Sequence, residues 1–493
     1  MEDLKERTIR GGLARFCAQG ANFVVRLAAL MILARLLGPR DFGLVGMVTA
    51  FTGVLTLFRD FGLSAAAIQR ASVTDEQIST LFWINLFVGA LLGLLSVAMA
   101  PVIAALYHEP RLIAVTAVLG AGFFFNAAGV QHGALLQREM RFTALAVINT
   151  VSLIVSTALA VAGAMAGYGY WALVAMTVAI PLIGTVGSWI ATAWVPGMPR
   201  RQVGIRSMMR FGGTLTLNGL IVYVASNLEK VLLGRFWGVD AVGIYGRAYQ
   251  LINIPTENLN SAASEVAFSA LSRLQKDPSR LKSYFLKGYS LILTLTLPIT
   301  IACAFFADDI VFVFLGPKWK ATGAIFRLLA PTVLVFAIAN PLSWLVSALG
   351  LVRRGLKMSL FIAPIMVAGY VIGLPYGPRG VAFAYSAVMM LWVVPVIAWS
   401  IHGTVISFRD IVLAVIRPLA ASITAAVFAF GVHSLCGQFL SPLLRLVLET
   451  TVLLVMFVGI LLLVTEQKSL YLDLLRGLKG SSPQTKTKSF VSA

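Results

Sequence analysis

Apolar stretches of about 20 residues, separated by short polar punctuation, recur from residue 12 to residue 464. Each is long enough to cross a hydrocarbon core of about 30 Å as a helix. Fourteen such spans are predicted, near 12–37, 42–66, 78–106, 112–136, 143–166, 170–195, 211–236, 241–272, 284–307, 322–349, 356–376, 380–401, 411–434 and 442–464. The long Leu/Val/Ala runs lack the ten-residue alternation of membrane strands, which excludes a β-barrel. The fold class is therefore all-α and polytopic. Links between spans are short. The longest, Pro196 to Arg210, joins the sixth and seventh spans, and the longest outer loop runs roughly from Ala307 to Ala321. The polar tail after Thr465 has little to bury and is expected to be disordered.

Composition agrees with the pattern. Of 493 residues, 59% are hydrophobic and only 12% charged, which rules out an ordinary soluble protein. A net charge of +19 suggests nucleic acid in a soluble domain. Here it has a simpler meaning, because Lys and Arg gather in cytoplasmic loops and orient the helices. With the N-terminus inside, the inner segments carry 24 Lys and Arg and the outer loops five: Arg40, Arg111, Lys318, Lys320 and Arg379. Both termini are thus placed in the cytoplasm. The start, MEDLKERTIRGG, has no cleavable apolar core, so no removed signal peptide is expected. Cys17, Cys303 and Cys436 are far apart, and the four histidines are scattered. Neither a disulfide framework, a metal site nor a cofactor motif is read from them.

The two halves repeat. Arg10, Gly12, Arg35, Gly38 and Gly43 recur 200 positions later as Arg210, Gly212, Arg235, Gly238 and Gly243. Six spans separate the copies, an even number. The lobes are therefore expected to be parallel repeats about an axis along the membrane normal, with a site near mid-bilayer between them. This divides the chain into an N-lobe (1–200), a C-lobe (201–402), two additional helices (403–465) and a cytoplasmic tail (466–493).

Charge inside these spans marks the candidate site, since an ionised group in a bilayer must face a cavity or a partner. Two helices meet at Gly238-Val239-Asp240. On the second, Arg247, Gln250, Glu257, Ser261, Ser264 and Glu265 share an arc of about 100°. Arg15, Gln19, Asn22 and Arg26 fall within about 60° on the first helix. Thr49, Thr52, Thr56, Arg59 and Asp60 form a stripe on the second helix, and Thr216, Tyr223, Asn227 and Lys230 form one on the seventh. Arg15, Arg26, Arg59, Lys230 and Arg247 outnumber Asp60, Glu257 and Glu265. A cationic pocket of low dielectric favours an anionic ligand, and Arg forks suit phosphate oxygens. Gln19, Asn22, Tyr223, Asn227 and Gln250 supply the amides and hydroxyls that suit sugars.

Plainer readings compete at several positions. Arg15, Arg35 and Arg235 sit near helix ends, where long side chains snorkel to the interface. Arg417 and Arg445 read as anchors. Glu229 and Lys230 read as an ion pair, and Glu257 and Glu265 as partners of Arg247 and Lys230, or as proton or ion sites. Pro255, Pro298, Pro331, Pro341 and Pro364 fall inside predicted helices and break hydrogen bonds there. No Gly-rich nucleotide loop is present, so direct ATP coupling is not expected.

LARLLGPRDFGLVGMV, FRDFGLSAAAIQR followed by STLFWINLFVGALLGLL, and GRAYQLINIPTENLNSAASEVAFSALSRLQKDPSRLKSYF resemble the polysaccharide flippases of bacterial inner membranes. These belong to the multidrug/oligosaccharidyl-lipid/polysaccharide exporter superfamily. The resemblance runs from the first span through the twelfth. It implies two six-helix lobes in a V, two extra C-terminal helices, a cationic lumen and alternating access. It also implies a cargo of undecaprenyl-pyrophosphate-linked oligosaccharide, flipped from the cytoplasmic to the periplasmic leaflet. The implied partners are that substrate, membrane lipids, and polysaccharide polymerase and chain-length proteins; the implied state is a monomer, with no role for nucleic acid. Drug exporters of the superfamily often carry an acidic residue in the first helix, whereas residues 12–37 hold no Asp or Glu. Lipid II flippases share first-helix arginines and are closer. A membrane glycan polymerase or ligase typically needs a sizeable outer loop with catalytic groups. The outer loop here offers only Asp308, Asp309 and Lys318.

Overall fold

A computed structural model describes residues 2–58, 74–199, 206–436 and 440–463. The tail after Thr465, and Arg59 and Asp60, lie outside the described residues. Every regular element among the described residues is helical. In chain order the helices are α1 (Glu2–Leu36), α2 (Pro39–Phe58), α3 (Asp75–Tyr107), α4 (Leu112–Arg138), α5 (Phe142–Met165) and α6 (Tyr170–Thr192), then the long α7 (Arg206–Arg273). After it come α8 (Pro278–Phe305), α9 (Ala307–Leu315), α10 (Lys320–Leu329), α11 (Pro331–Ala348), α12 (Val352–Gly373), α13 (Gly377–Ile401), α14 (Phe408–Cys436) and α15 (Pro442–Leu463). Eleven stretches of described helix are long and apolar enough to cross a bilayer, and one of them, Arg353–Ile401, holds both α12 and α13.

Two features depart from the sequence expectation. The loop expected over Ala307 to Ala321 is the short helix α9 followed by a 3-10 turn, Pro317–Trp319. Its IVFVFL run packs one face inward, with Val311 and Leu315 buried. The span expected over 322–349 is two helices, α10 and α11. Pro331 stands at the first position of α11, where its missing N–H costs nothing, rather than kinking one continuous helix. Pro298, Pro341 and Pro364 do lie inside helices.

The break expected at Gly238 is present. Gly238 has φ 79° and ψ −172°, a left-handed region open to glycine, and it divides α7 into a first arm (206–237) and a second arm (239–273). Other ends carry ordinary caps. Thr74 and Gln77 form a reciprocal capping box at the start of α3. Asp277 accepts from the Arg280 backbone N–H at the start of α8, with Pro278 following it.

The chain packs into two compact units. The first takes Met1–Ile254, Ala307–Thr332 and Arg353–Trp392. Within it α3 packs on α4, α4 on α6, α5 on α6 and α1 on α5. Lipid tails are as apolar as leucine, so helices associate through close packing of small residues. A Cβ on Gly89 would strike Ala127, and one on Gly93 would stand 3.0 Å from the Gly120 carbonyl oxygen. His132 is fully buried, with its ring stacked on Trp189 at 4.4 Å and Nε2 3.2 Å from the Trp194 carbonyl. Trp83 donates to the Gly197 carbonyl, and the Gly197 N–H donates to Ser79. This cluster pins the start of the link after α6 against α3 and α4.

The second unit takes Pro255–Phe306, Val333–Val352 and Val393–Ala493. Its core is built from Leu271, Phe285, Leu293, Leu342, Ile401 and Ile411. Gln275 donates to the Ala348 carbonyl, and Lys282 pairs with Asp410 at 2.6 Å.

Candidate functional site

The first unit holds most of the predicted site residues. Hydrogen bonds tie the turn between α1 and α2 to the chain around α9. Arg35 donates through Nη2 to the Val313 carbonyl at 2.9 Å, and Lys318 Nζ to the Leu36 carbonyl at 3.2 Å. Trp319 is 0% exposed; its indole N–H donates to the Ala34 carbonyl at 2.8 Å. The Trp319 ring meets Phe42 edge-on at 5.4 Å, and the Arg247 guanidinium lies over the Phe42 ring at 4.2 Å.

The two repeat glycines meet in the same region. A Cβ on Gly43 would collide with the Val239 carbonyl, and one on Gly243 with the Pro39 carbonyl. Only glycine permits this contact of backbones. Arg235 Nη1 lies 2.6 Å from His108 Nδ1, and Trp237 donates to the Leu374 carbonyl at 2.8 Å. Arg35 and Arg235, read as snorkelling residues, are thus tied to a carbonyl and to an imidazole.

Around this turn, loop charges pair locally. Glu109 bonds Arg111 at 2.7 Å and stands 4.0 Å from Arg40. The Arg111 hydrogen bond holds the Glu109 carboxyl below its usual range. Asp308 pairs with Arg327 at 2.6 Å.

A second polar layer lies on the first arm of α7. The Tyr223 hydroxyl donates to the Thr49 carbonyl at 3.1 Å, across from α2. The Asn227 amide donates to the Tyr223 carbonyl at 3.0 Å. Lys230 Nζ donates to Asn227 Oδ1 at 2.7 Å and lies 5.7 Å from the centre of the Tyr249 ring. The spacing of 223, 227 and 230 puts all three on one helix face, as the sequence indicated.

The ion pair read between Glu229 and Lys230 is not formed. Adjacent helical residues point about 100° apart. Lys230 turns to Asn227, while Glu229 is 1% exposed and neither of its oxygens has a hydrogen-bond partner. Its only sequence signal was an acid at membrane depth beside a lysine already on the polar face.

On α1, Arg26 and Gln19 are exposed, and Asn22 is half-buried with Oδ1 unbonded. Arg15 lies on α1 with its side chain outside the described set. On the second arm of α7, Arg247 is half-buried with Nε unbonded, and Gln250 is exposed. Glu257 is exposed in the second unit, and the Glu265 side chain lies outside the described set. Among the described residues no carboxylate pairs with Arg26, Lys230 or Arg247. Trp319 and Phe42 were not anticipated. Nothing in a local pattern ties Trp319 to Ala34, some 285 positions away.

The second unit has a small cavity lined by Thr256, Asn260, Thr296, Phe336, Asn340 and Trp344. At about 20 Å³ it has room for one water, not for a sugar.

The arrangement matches known proteins along most of its length. Lipopolysaccharide biosynthesis protein WzxC of Escherichia coli (strain K12) is 26% identical over 377 residues, covering 75% of this chain and 76% of that protein. Succinoglycan biosynthesis transport protein ExoT of Rhizobium meliloti (strain 1021) is 23% identical over 309 residues, covering 63% of each. The fold is that of a lipid II flippase, MurJ, solved in an inward closed conformation. It superposes with a TM-score of 0.72 at 13% identity, covering 95% of this chain and 100% of that one. The model of the polysaccharide biosynthesis protein family matches residues 32–323, more than half of the sequence, and this multi-pass membrane protein belongs to that family.

Proposed function

We propose that this protein is a flippase that moves lipid-linked oligosaccharide units from the inner to the outer leaflet of a bacterial cytoplasmic membrane, for assembly of a surface polysaccharide. The observation that carries the reading is cationic charge at membrane depth with no acidic partner among the described residues. Arg26, Lys230 and Arg247 meet no carboxylate among the described residues, so an anionic cargo is what neutralises them. Pyrophosphate fits that need, because guanidinium forks bind its oxygens in pairs. Arg15 and Arg59 extend the same stripes. Gln19, Asn22, Tyr223, Asn227 and Gln250 supply the polar lining for sugar.

In this reading translocation proceeds by alternating access, with no bond made or broken in the cargo. The lobes 1–200 and 201–402 rock about the site, residues 403–465 add two helices, and both termini and the tail face the cytoplasm. Asp60, Glu257 and Glu265 balance charge or couple to an ion. The protein works as a monomer beside a polysaccharide polymerase and its chain-length partner.

The test is surface polysaccharide output from a deletion strain carrying Arg26→Ala, Arg59→Ala or Arg247→Ala at matched membrane levels. Lost polymer, with lipid-linked units accumulating on the cytoplasmic side, is expected. Units accumulating unpolymerised in the periplasm would mean a polymerase or ligase. Normal polymer in the deletion itself would sink the polysaccharide reading and leave a drug/ion antiporter or a lipid II flippase in its place.

A further inference from the structure

Arg417 is a cation on an apolar outer face of the second unit. It stands on α14, nine residues past Phe408, or about 13 Å along the helix. Its side chain is exposed, and it makes no hydrogen bond or ion pair with a described residue. The surface beside it is apolar: Leu413, Ile416, Val427 and Phe428 are between 46% and 66% exposed. A broad exposed apolar face on a membrane helix meets lipid, not a wet passage.

The start of α14 is fixed against α8 by the pair of Lys282 and Asp410 at 2.6 Å. Arg417 lies seven residues above Asp410, about 10 Å farther along the helix and within about 20° of the same face. Asp410 does not serve it. One oxygen, Oδ2, accepts from Lys282, from the Ser407 hydroxyl at 2.7 Å and from the Ser407 N–H at 2.8 Å. Asp277, the acid at the start of α8, is held by Ser279 at 2.8 Å and Arg280 at 3.2 Å. Both acids at this end are thus engaged. Arg273, Lys276, Lys287 and Arg409 are exposed and meet no described carboxylate.

Depth decides what this charge can meet. Arg273 and Lys276 lie before α8 and are open to any anion. Arg417 stands two turns inside an apolar face, where a soluble acidic protein does not reach. Its methylene stem lets the guanidinium turn back toward the interface. That carries the fork to the level of lipid phosphates, which it binds through paired hydrogen bonds.

We propose that the edge of α14 beside α8 is a binding site for an anionic phospholipid, with the Arg417 fork on its phosphate. Arg409 and the basic link before α8 add attraction for the charged headgroup. The ligand is a resident membrane lipid rather than the transported cargo, so the site goes beyond the transport reading. In the orientation proposed above it faces the cytoplasmic leaflet.

The test is native mass spectrometry of the purified full-length protein, titrated with phosphatidylglycerol and, separately, with phosphatidylcholine. The first phosphatidylglycerol is expected to bind wild type about tenfold or more tighter than phosphatidylcholine, since several cations act on it. Arg417→Gln should weaken phosphatidylglycerol about fivefold and leave phosphatidylcholine unchanged. Arg417→Lys, which keeps the charge and loses the fork, should fall between the two. Arg379→Gln, an exposed position on α13 in the first unit, should behave as wild type. Equal affinity of wild type for the two lipids overturns the proposal, and that comparison decides it even if a variant fails to fold. So does an unchanged affinity in Arg417→Gln, or an equal loss in Arg379→Gln, which would mark a general effect of net charge. Displacement of the bound phosphatidylglycerol by equimolar undecaprenyl pyrophosphate overturns it in favour of a cargo site. A failed polysaccharide reading would leave this lipid titration untouched.

Discussion

Trp319 joins the 3-10 turn after α9 to the α1–α2 turn, and its removal should loosen that closure. Trp319→Ala deletes an indole hydrogen bond to the Ala34 carbonyl, a net contribution of about 1 kcal/mol. It also deletes an edge-on contact with Phe42, about 1 kcal/mol beyond the area buried. Truncating a buried Trp costs about 3–5 kcal/mol in a soluble core. The transfer part of that figure is discounted here, because lipid is as apolar as the protein. A loss of about 2–3 kcal/mol remains, and at about 1.4 kcal/mol per tenfold the opening equilibrium shifts about 30- to 150-fold. The assay places a reporter cysteine at Leu37, which is buried beside this turn, in a background with Cys17, Cys303 and Cys436 replaced by serine. Labelling by a membrane-impermeant maleimide should accelerate by that factor in Trp319→Ala. Trp319→Phe keeps an aromatic ring but loses the hydrogen bond and some volume, so it should give at least about a fivefold acceleration, and less than Trp319→Ala. Size-exclusion chromatography must show the same monodisperse peak for each variant. Equal labelling rates in all three, with Leu37→Cys reactive on denaturation, would refute the idea that Trp319 holds this end closed.

Gly243→Val drives a branched side chain into the Pro39 carbonyl, so folded protein recovered from membranes should fall to a small fraction of wild type; normal yield would mean that the two turns separate freely. Asp308→Asn breaks an ion pair whose side chains are both more than half exposed, so the melting temperature should move little, a cost of about 1 kcal/mol or less. Glu109 is held below its ordinary value by Arg111. Its stabilising effect is therefore full above the unfolded carboxylate range and lost as pH falls through the folded value. Glu109→Gln should accordingly narrow the gap to wild type below about pH 4.5, and a gap constant with pH in thermal melts would contradict this. If both termini face the cytoplasm, as proposed, a fluorescent protein fused after Ala493 should mature and fluoresce, while an exported phosphatase fused there should stay inactive.

The sequence by itself was enough for the membrane class, the helical fold, the break at Gly238 and the polar face of Tyr223, Asn227 and Lys230. These are one-dimensional properties. A run of apolar residues must be a helix in lipid because its backbone has no other partner. A left-handed turn selects glycine, and a shared helix face follows from spacing. Pro331 shows where that reasoning fails. The same residue kinks a helix or starts one, and the sequence alone does not distinguish the two. The fate of each charge was likewise a tertiary matter. Lys230 and Glu229 are neighbours in sequence, yet one reaches Asn227 and the other is buried with neither carboxyl oxygen bonded. Arg247 over Phe42, and Trp319 on Ala34, join positions more than 200 residues apart. No local pattern encodes such contacts. They arise because close backbone approach at Gly43 and Gly243 brings distant helices together, and that approach is decided only when the whole unit packs.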